Sequence, residues 1–292
     1  MMNNFNIPGF LIKTILTWGI FQLSFVPQVF SFTAADSLKA KAYGVLINVS
    51  DLKNAKEFYV DILKFGVDGV DIDANVIQLK TKSGDKIIIR QISSSIKSNS
   101  GAQSNVSLAL QVNNLDSSVM YLKSKGIRFT GNERRKEGVG FSAKLLDPFG
   151  NMISLLEQTI QAVPRFEEPS IYNFGLYIPD IQTEQDFYCN GMGFKILTKR
   201  YLPEDMPLFY ADRSFGFMLH LNREEFKPDP QSKGVVPAFM LMFKTDNLSN
   251  AIDFLKQNKA TIADVKPRQW AWGNYVVFKD AAGIEALIMD NK

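Results

Sequence analysis

The chain has 292 residues, 46% hydrophobic and 22% charged, with a net charge of +3. This is globular composition with length for more than one core, and no long block of one sign points to nucleic acid. One cysteine, Cys189, excludes an intrachain disulfide, and one histidine, His220, excludes any site that needs two imidazole ligands.

Residues 1–31 carry a single charge, Lys13, and lead into an apolar run from Thr14 to Phe32. A basic start followed by an apolar segment is the pattern of an export signal, and Val29-Phe-Ser31 offers a cleavage point after Ser31. The competing readings are a membrane anchor over residues 11–32, long enough to span a bilayer, and a start assigned too early. The expectation is an exported protein, periplasmic or secreted. Any membrane attachment is confined to this segment.

The body then repeats one order of elements. Ala42 to Val49 is apolar and β-branched and reads as a strand. Asp51 is placed to cap a helix in which Ala55, Phe58, Tyr59, Ile62 and Leu63 share one face. Strands at about 75–82 and 86–92 follow, joined by the turn Ser83-Gly84-Asp85. Ser93 to Ser104 reads as a flexible loop. A second unit runs from a strand at 106–112, through a helix on Leu115, Val119 and Leu122, to strands at 127–130, 140–146 and 152–157. Glu133 to Lys136 (ERRK) reads as a solvated loop. Residues 159–169 hold Pro164 and Pro169 and form the predicted linker. A third unit has a strand at 173–178, a helix through Phe187-Tyr188, and strands near 194–201, 208–211 and 215–221. The fourth has a strand at 238–243, a helix on Leu248, Ala251, Ile252 and Leu255, and strands near 261–265, 274–279 and 285–289.

The two halves echo each other with a period of about 130 residues. Asp51 to Phe65 (DLKNAKEFYVDILKF) returns as Asp180 to Phe194 (DIQTEQDFYCNGMGF), and Asp147-Pro-Phe-Gly150 returns as Asp280-Ala-Ala-Gly283. The reading is an α+β protein of four βαβββ units forming two tandem modules, 41–158 and 170–291, with cup-shaped mixed sheets. A unit of this size cannot cover both faces of its sheet, so units must pack in pairs and leave concave pockets.

These residues carry a resemblance. Val49-Ser-Asp51, Phe58-Tyr59, Leu63-Lys-Phe65 and Asp147-Pro-Phe-Gly-Asn151 resemble motifs of the vicinal oxygen chelate superfamily, the group of glyoxalase I, bleomycin-resistance proteins and extradiol dioxygenases. So do Ile178-Pro-Asp180, Phe187-Tyr188, Gly193-Phe194, Trp272-Gly273 and Asp280 to Gly283 in the second half. The resemblance covers about residues 41–290. Metalloenzymes of the superfamily hold one divalent ion in the cup. Carried over, their first-strand ligand falls on Gly44 and Asn173, and their last-strand glutamate on Ser154 and Leu287. The first strand of the even-numbered units contributes Ser107 and Met240, and a further position aligns with Gln78. Glycine, leucine and neutral hydroxyls are poor replacements for carboxylate and imidazole on a divalent ion. Glu157, Glu285 and His220 are strong ligand types near these strands but do not form a matching set.

The expectation is a glyoxalase- or bleomycin-resistance-like protein with no cofactor and no metal of the family type, binding a small organic ligand in a module cup. The alternative is a family metalloenzyme (lyase, isomerase or dioxygenase) with non-standard metal ligands. A third reading is an interaction protein whose second cup is filled by Phe239, Met240 and Met242. Candidate ligand-binding residues are Gln78, Ser107, Ser154, Asn173, His220 and Trp272, with Gln78, Ser107 and Ser154 grouped in the first cup. Trp270 and Trp272 either close over an apolar ligand or pack the junction of the halves. Cys189, with no basic neighbour in sequence, reads as structural.

Overall fold

The computed structural model describes residues 38, 40–93, 98–99, 106–137, 139–159, 169–196, 208–210, 216–221, 236–258, 260–262, 264 and 266–290, with backbone course alone for 98–99, 208–210 and 216–221. The predicted leader, most of the 159–169 linker and residues 222–234, whose polar composition and two prolines read as a loop, fall outside this set.

The first unit comprises β1 (Lys41–Val49), α1 (Leu52–Lys56) running on into a π-helical turn (Glu57–Ile62), β2 (Gly66–Asp71), β3 (Val76–Lys80) and β4 (Lys86–Gln91). The short strand β5 (Ser98–Asn99) leads to the second unit: β6 (Val106–Gln111), α2 (Leu115–Ser124), β7 (Phe129–Glu137), β8 (Gly140–Leu146) and β9 (Met152–Gln158). The third has β10 (Ser170–Ile178), α3 (Ile181–Gln185) with its own π turn (Asp186–Gly191), β11 (Lys195–Ile196), β12 (Leu208–Tyr210) and β13 (Gly216–Leu221). After β14 (Val236–Pro237) the fourth has β15 (Phe239–Lys244), α4 (Leu248–Gln257), β16 (Thr261–Ile262), β17 (Arg268–Trp270), β18 (Gly273–Lys279) and β19 (Glu285–Met289).

The predicted helix faces are the buried ones. Ala55, Phe58, Tyr59 and Leu63 are buried in the first copy, and Phe187 and Tyr188 in the third. Asp51 caps α1 by accepting from the amides of Lys53 at 2.8 Å and Asn54 at 3.4 Å. Asp180 repeats this with Gln182 at 3.0 Å. Some strands were not anticipated. β2 (GVDGVD) is an edge strand with little buried surface, so it lacks the apolar alternation that marks a strand. β17 is only three residues long. β5 falls inside the stretch read as a loop, where it pairs with β14. The ERRK run belongs to β7 and not to a loop, although Arg134, Arg135 and Lys136 are exposed as a solvated stretch would be.

The turn after each π segment needs a left-handed residue. The second copy supplies Gly193 at φ 83°, whereas the first has Lys64 at φ 66°. A side chain there meets a steric penalty that glycine escapes. Lys64→Gly is therefore expected to raise stability by up to about 1 kcal/mol, read as a higher urea midpoint. An unchanged or lower midpoint would contradict this account of the turn.

The sheets do not follow the modules. One sheet runs β16-β18-β19-β15-β1-β4-β3-β2 and joins units one and four; the other runs β11-β12-β13-β10-β6-β9-β8-β7 and joins units two and three. We call them the 1/4 and 2/3 sheets. Their seams are the antiparallel pairs β1–β15 and β10–β6. Each cup is therefore built between the halves.

Within each half the units are tied on the opposite face. The Tyr59 hydroxyl donates to the Asp147 carboxylate at 2.7 Å, and the Tyr188 hydroxyl to that of Asp280 at 2.8 Å. This explains why Phe-Tyr and Asp-x-x-Gly recur together. The tyrosine of one unit's helix holds the aspartate that organises the next unit's turn. Asp147 also accepts from the amides of Phe149 at 2.9 Å and Asn151 at 2.7 Å, and from Asn151 Nδ2 at 2.8 Å. One continuous core covers the helix-bearing faces of both sheets, from Val45, Phe58 and Leu79 to Phe174, Phe243 and Ile288.

Candidate ligand-binding site

Successive strand residues face opposite ways, so residues that alternate with the helix-side core point into the cups. In the 1/4 sheet that face is filled. Leu46, Val76, Ile88, Met240, Met242, Trp270, Tyr275, Leu287 and Met289 form a second buried apolar cluster there. Its edges meet: the Ala271 amide donates to the Asp71 carboxylate at 2.7 Å, and Trp272 lies against Gly69. Trp270 stacks on Tyr275 with ring centroids 3.9 Å apart. The tryptophans thus pack the junction of the halves. Met240 and Met242 fill this cup, which is shared by units one and four and is not the second module's own, and Phe239 turns to the helix-side core, one residue out of phase.

Polar groups in the 1/4 cup are mostly engaged. Asn48 donates to the Pro237 carbonyl at 2.7 Å and accepts from Arg90 Nε at 2.9 Å. Asp68 receives Gln78 Nε2 at 2.7 Å and bridges Lys80 and Lys86. These hydrogen bonds, that of Lys86 first and those of Lys80 and Gln78 after it, hold the Asp68 carboxyl well below the ordinary carboxylate range. Gln78 Oε1 and Trp272 Nε1 are buried without a partner among the described residues.

The 2/3 cup differs. Val106, Leu108 and Leu110 of β6 and Ile153 and Leu155 of β9 belong to the helix-side core, which leaves Ser107, Ala109, Ser154 and Leu156 on the cup face. On β10 the cup face carries Asn173, Gly175 and Tyr177. Asn173 is 5% exposed, yet its side-chain amide makes no hydrogen bond among the described residues. On β8 the cup face carries Ser142 and Lys144. A depression of about 310 Å³ opens at this end, lined by residues including Thr130, Arg135, Ser142 and Lys144. A larger one, about 470 Å³, lies on the helix-bearing side between α4 and Pro267.

Four of the six candidates share this sheet: Ser107, Ser154, Asn173 and His220. His220 is placed only by register, opposite Tyr177. Gln78 and Trp272 belong to the 1/4 sheet, so the expected grouping of Gln78 with Ser107 and Ser154 is not formed. Pairing of units across the halves separates them. Lys144 and Arg135 were missed as cup residues. Their signal was the alternation of Ser142 and Lys144 with Ala143 and Leu145.

Register also tests the carried-over metal positions. In the 1/4 sheet one row reads Lys86, Gly44, Met242, Leu287. In the 2/3 sheet it reads Gly216, Asn173, Ala109, Ser154. The neighbours of Gly44 and Asn173 are thus Met242 and Ala109, two residues along from the expected Met240 and Ser107. Register shifts between Ala42 and Gly44, and between Ile171 and Asn173, accompany the offset. Neither row holds a carboxylate or an imidazole. Gly44 has no room for one, because a Cβ there would lie 1.9 Å from the Lys86 carbonyl oxygen. Among the described residues no three His, Cys, Asp or Glu side chains converge. The described residues of these rows do not fit the family's metal. Burial and then Asp186 push the Cys189 thiol up to about 11, away from the thiolate form.

The model of the Glyoxalase/Bleomycin resistance protein/Dioxygenase superfamily matches residues 43–155 and 170–287. The chain belongs to this superfamily. Its two matches coincide with the two halves, while its sheets are shared between them. Among solved structures it is similar to glyoxalase I from Zea mays, at 17% identity over 86% of this chain and 92% of that one, with a TM-score of 0.64. A mutant of the maize protein gives 16%, 88%, 96% and 0.67. A putative dioxygenase from Bacillus subtilis subsp. subtilis str. 168 gives 12%, 86%, 85% and 0.61. At these identities the likeness is one of fold. No curated protein matches in sequence.

Proposed function

We propose that this superfamily member binds a small organic ligand in the 2/3 cup, without a divalent metal. The observation that carries the reading is the contrast between the cups. One is filled by its own apolar side chains. The other presents Asn173 and Ser154 along the row where a metal-binding relative would need charged or imidazole ligands, with Ser107 on the same face two residues away from that row. Asn173 is 5% exposed and its amide makes no hydrogen bond among the described residues, which leaves it available to a ligand in the cup. We further propose that residues 1–31 are an export signal; this rests on their composition alone.

Native mass spectrometry of the protein purified without chelators tests both proposals. The expected spectrum is a chain beginning at Phe32 with a co-purifying organic mass that Asn173→Leu removes. A chain that keeps residues 1–31 would refute the cleaved signal. An organic mass retained in full by Asn173→Leu would move the ligand out of this cup. One divalent ion per chain would favour the metalloenzyme alternative.

A further inference from the structure

We propose that the ligand of the 2/3 cup is an oxyanion-bearing small molecule, carboxylate or phosphoryl, whose charged group is met by Lys144. This rests on the reading that the 2/3 cup is the binding site and adds the charge class of its occupant.

The register row continues beyond Ser154. β8 sets Lys144 opposite Ser154, and β7 sets Thr130 opposite Lys144. Lys144 is therefore the cation in a row that otherwise reads glycine, asparagine, alanine, serine and threonine. It is half-buried, lines the 310 Å³ depression, and has no carboxylate within ion-pair distance among the described residues. Charged side chains withdrawn from water are ordinarily paired. Glu137, an acid on this wall, is already engaged: it accepts from Ser142 Oγ at 2.8 Å and faces Arg135 Nε at 3.4 Å. No acid lines the depression, and Arg135 adds a second positive charge there.

The other sheet acts as an internal control. Leu287 occupies the place of Ser154, and its neighbour in register, at the place of Lys144, is Val277. The filled cup thus has an apolar residue where the open cup has a cation. An ammonium opposite a serine hydroxyl is the composition that holds an oxyanion, a point charge with a neutral donor beside it, while Asn173 lies three strands along the same row and meets another part of the ligand. The 310 Å³ depression takes in Lys144 and not Ser154 or Asn173, so it is the place for the charged end of the ligand.

The test compares para-fluorobenzoate and para-fluorophenylphosphonate with the neutral para-fluorobenzyl alcohol, each titrated into the full chain by fluorine NMR. At least one anion should bind at least tenfold more tightly than the alcohol. Lys144→Met should abolish that preference while leaving alcohol binding and the melting temperature unchanged, and Lys144→Arg should restore it. Which anion binds better distinguishes a carboxylate from a phosphoryl ligand. If all three probes bind equally, or Lys144→Met keeps the preference, the anion inference is overturned while the cup stands. If none binds, or Asn173→Leu leaves all binding unchanged, the cup itself is wrong and the inference falls with it.

Discussion

Raising the pH from 5 to 8 is expected to lower the stability of the fold by about 3–4 kcal/mol, and Glu184→Gln is expected to remove most of that loss. The reason is a substitution between the two copies of the helix–turn tie. In the first half, Ala55 and Asn151 flank the Tyr59–Asp147 pair, and the Asn151 amide donates to Asp147. In the second half these positions are Glu184 and Ile284. Isoleucine offers no donor, and Glu184 is only 1% exposed beside Asp280. Neither Glu184 oxygen has a donor of its own among the described residues. Two buried carboxylates side by side cannot both be charged, so Glu184 carries a proton and shares it with Asp280. Burial first, and then the Asp280 charge, raise the Glu184 carboxyl well above the ordinary glutamate range.

The sign follows from proton counting. Above about pH 4.5 the unfolded glutamate is ionised while the folded one keeps its proton, so folding binds a proton and rising pH opposes it. The stabilisation is complete below the unfolded value and is lost as pH climbs toward the raised folded value. The slope in between is at most about 1.4 kcal/mol per pH unit. Asp280, also raised by burial, works in the same direction. Glutamine keeps a donor toward Asp280 without the ionisation, so the variant should show a flatter profile and be the more stable chain at pH 8. Urea unfolding at pH 5, 6.5 and 8 checks this. Equal slopes for the two chains would mean that Glu184 is ionised in the folded state.

The corresponding site in the first half predicts the second large effect. Asp147→Ala should cost about 3–5 kcal/mol. It removes the acceptor for two turn amides, for the Asn151 side chain and for the fully buried Tyr59 hydroxyl. Tyr59→Phe removes donor and demand together and should cost only about 1 kcal/mol. The two changes meet at one hydrogen bond, so their combination should cost less than their sum. If Asp147→Ala lay within about 1 kcal/mol of the parent chain, the tie between units would not be the organising contact described above.

The internal repeat made the four units, their helix faces and their caps legible, because each rests on local chemistry: Asp51 before an amphipathic stretch, Asp147 before a glycine three residues on. Which units share a sheet was not legible. β1 and β15 are both short apolar strands, and nothing local says that Val45 will lie opposite Leu241 and not opposite a residue of β6. That choice is tertiary, and it decides the site, since it sends Gln78 to one cup and Ser107 to the other. Position counting from Asp51 and Asp180 grouped Gly44 with Ser154 and Asn173 with Leu287 within each half, whereas register puts Gly44 in the row of Leu287 and Asn173 in the row of Ser154. It missed Met242 and Ala109 by one side-chain period, where bulges shift the register. Lys144 was hidden for a simpler reason: a lysine alternating with core residues reads as solvent-facing until the concavity of the sheet is known.

The central claim is that a cup of this superfamily takes its ligand without the family's metal. Equilibrium dialysis of the full chain against zinc, manganese and ferrous iron, each followed by elemental analysis, tests it most directly. The donor rows predict far less than one ion per chain for every metal, with no change on Asn173→Ala. One tightly held ion per chain, lost in Asn173→Ala, would contradict the claim and place a metal centre in the 2/3 cup.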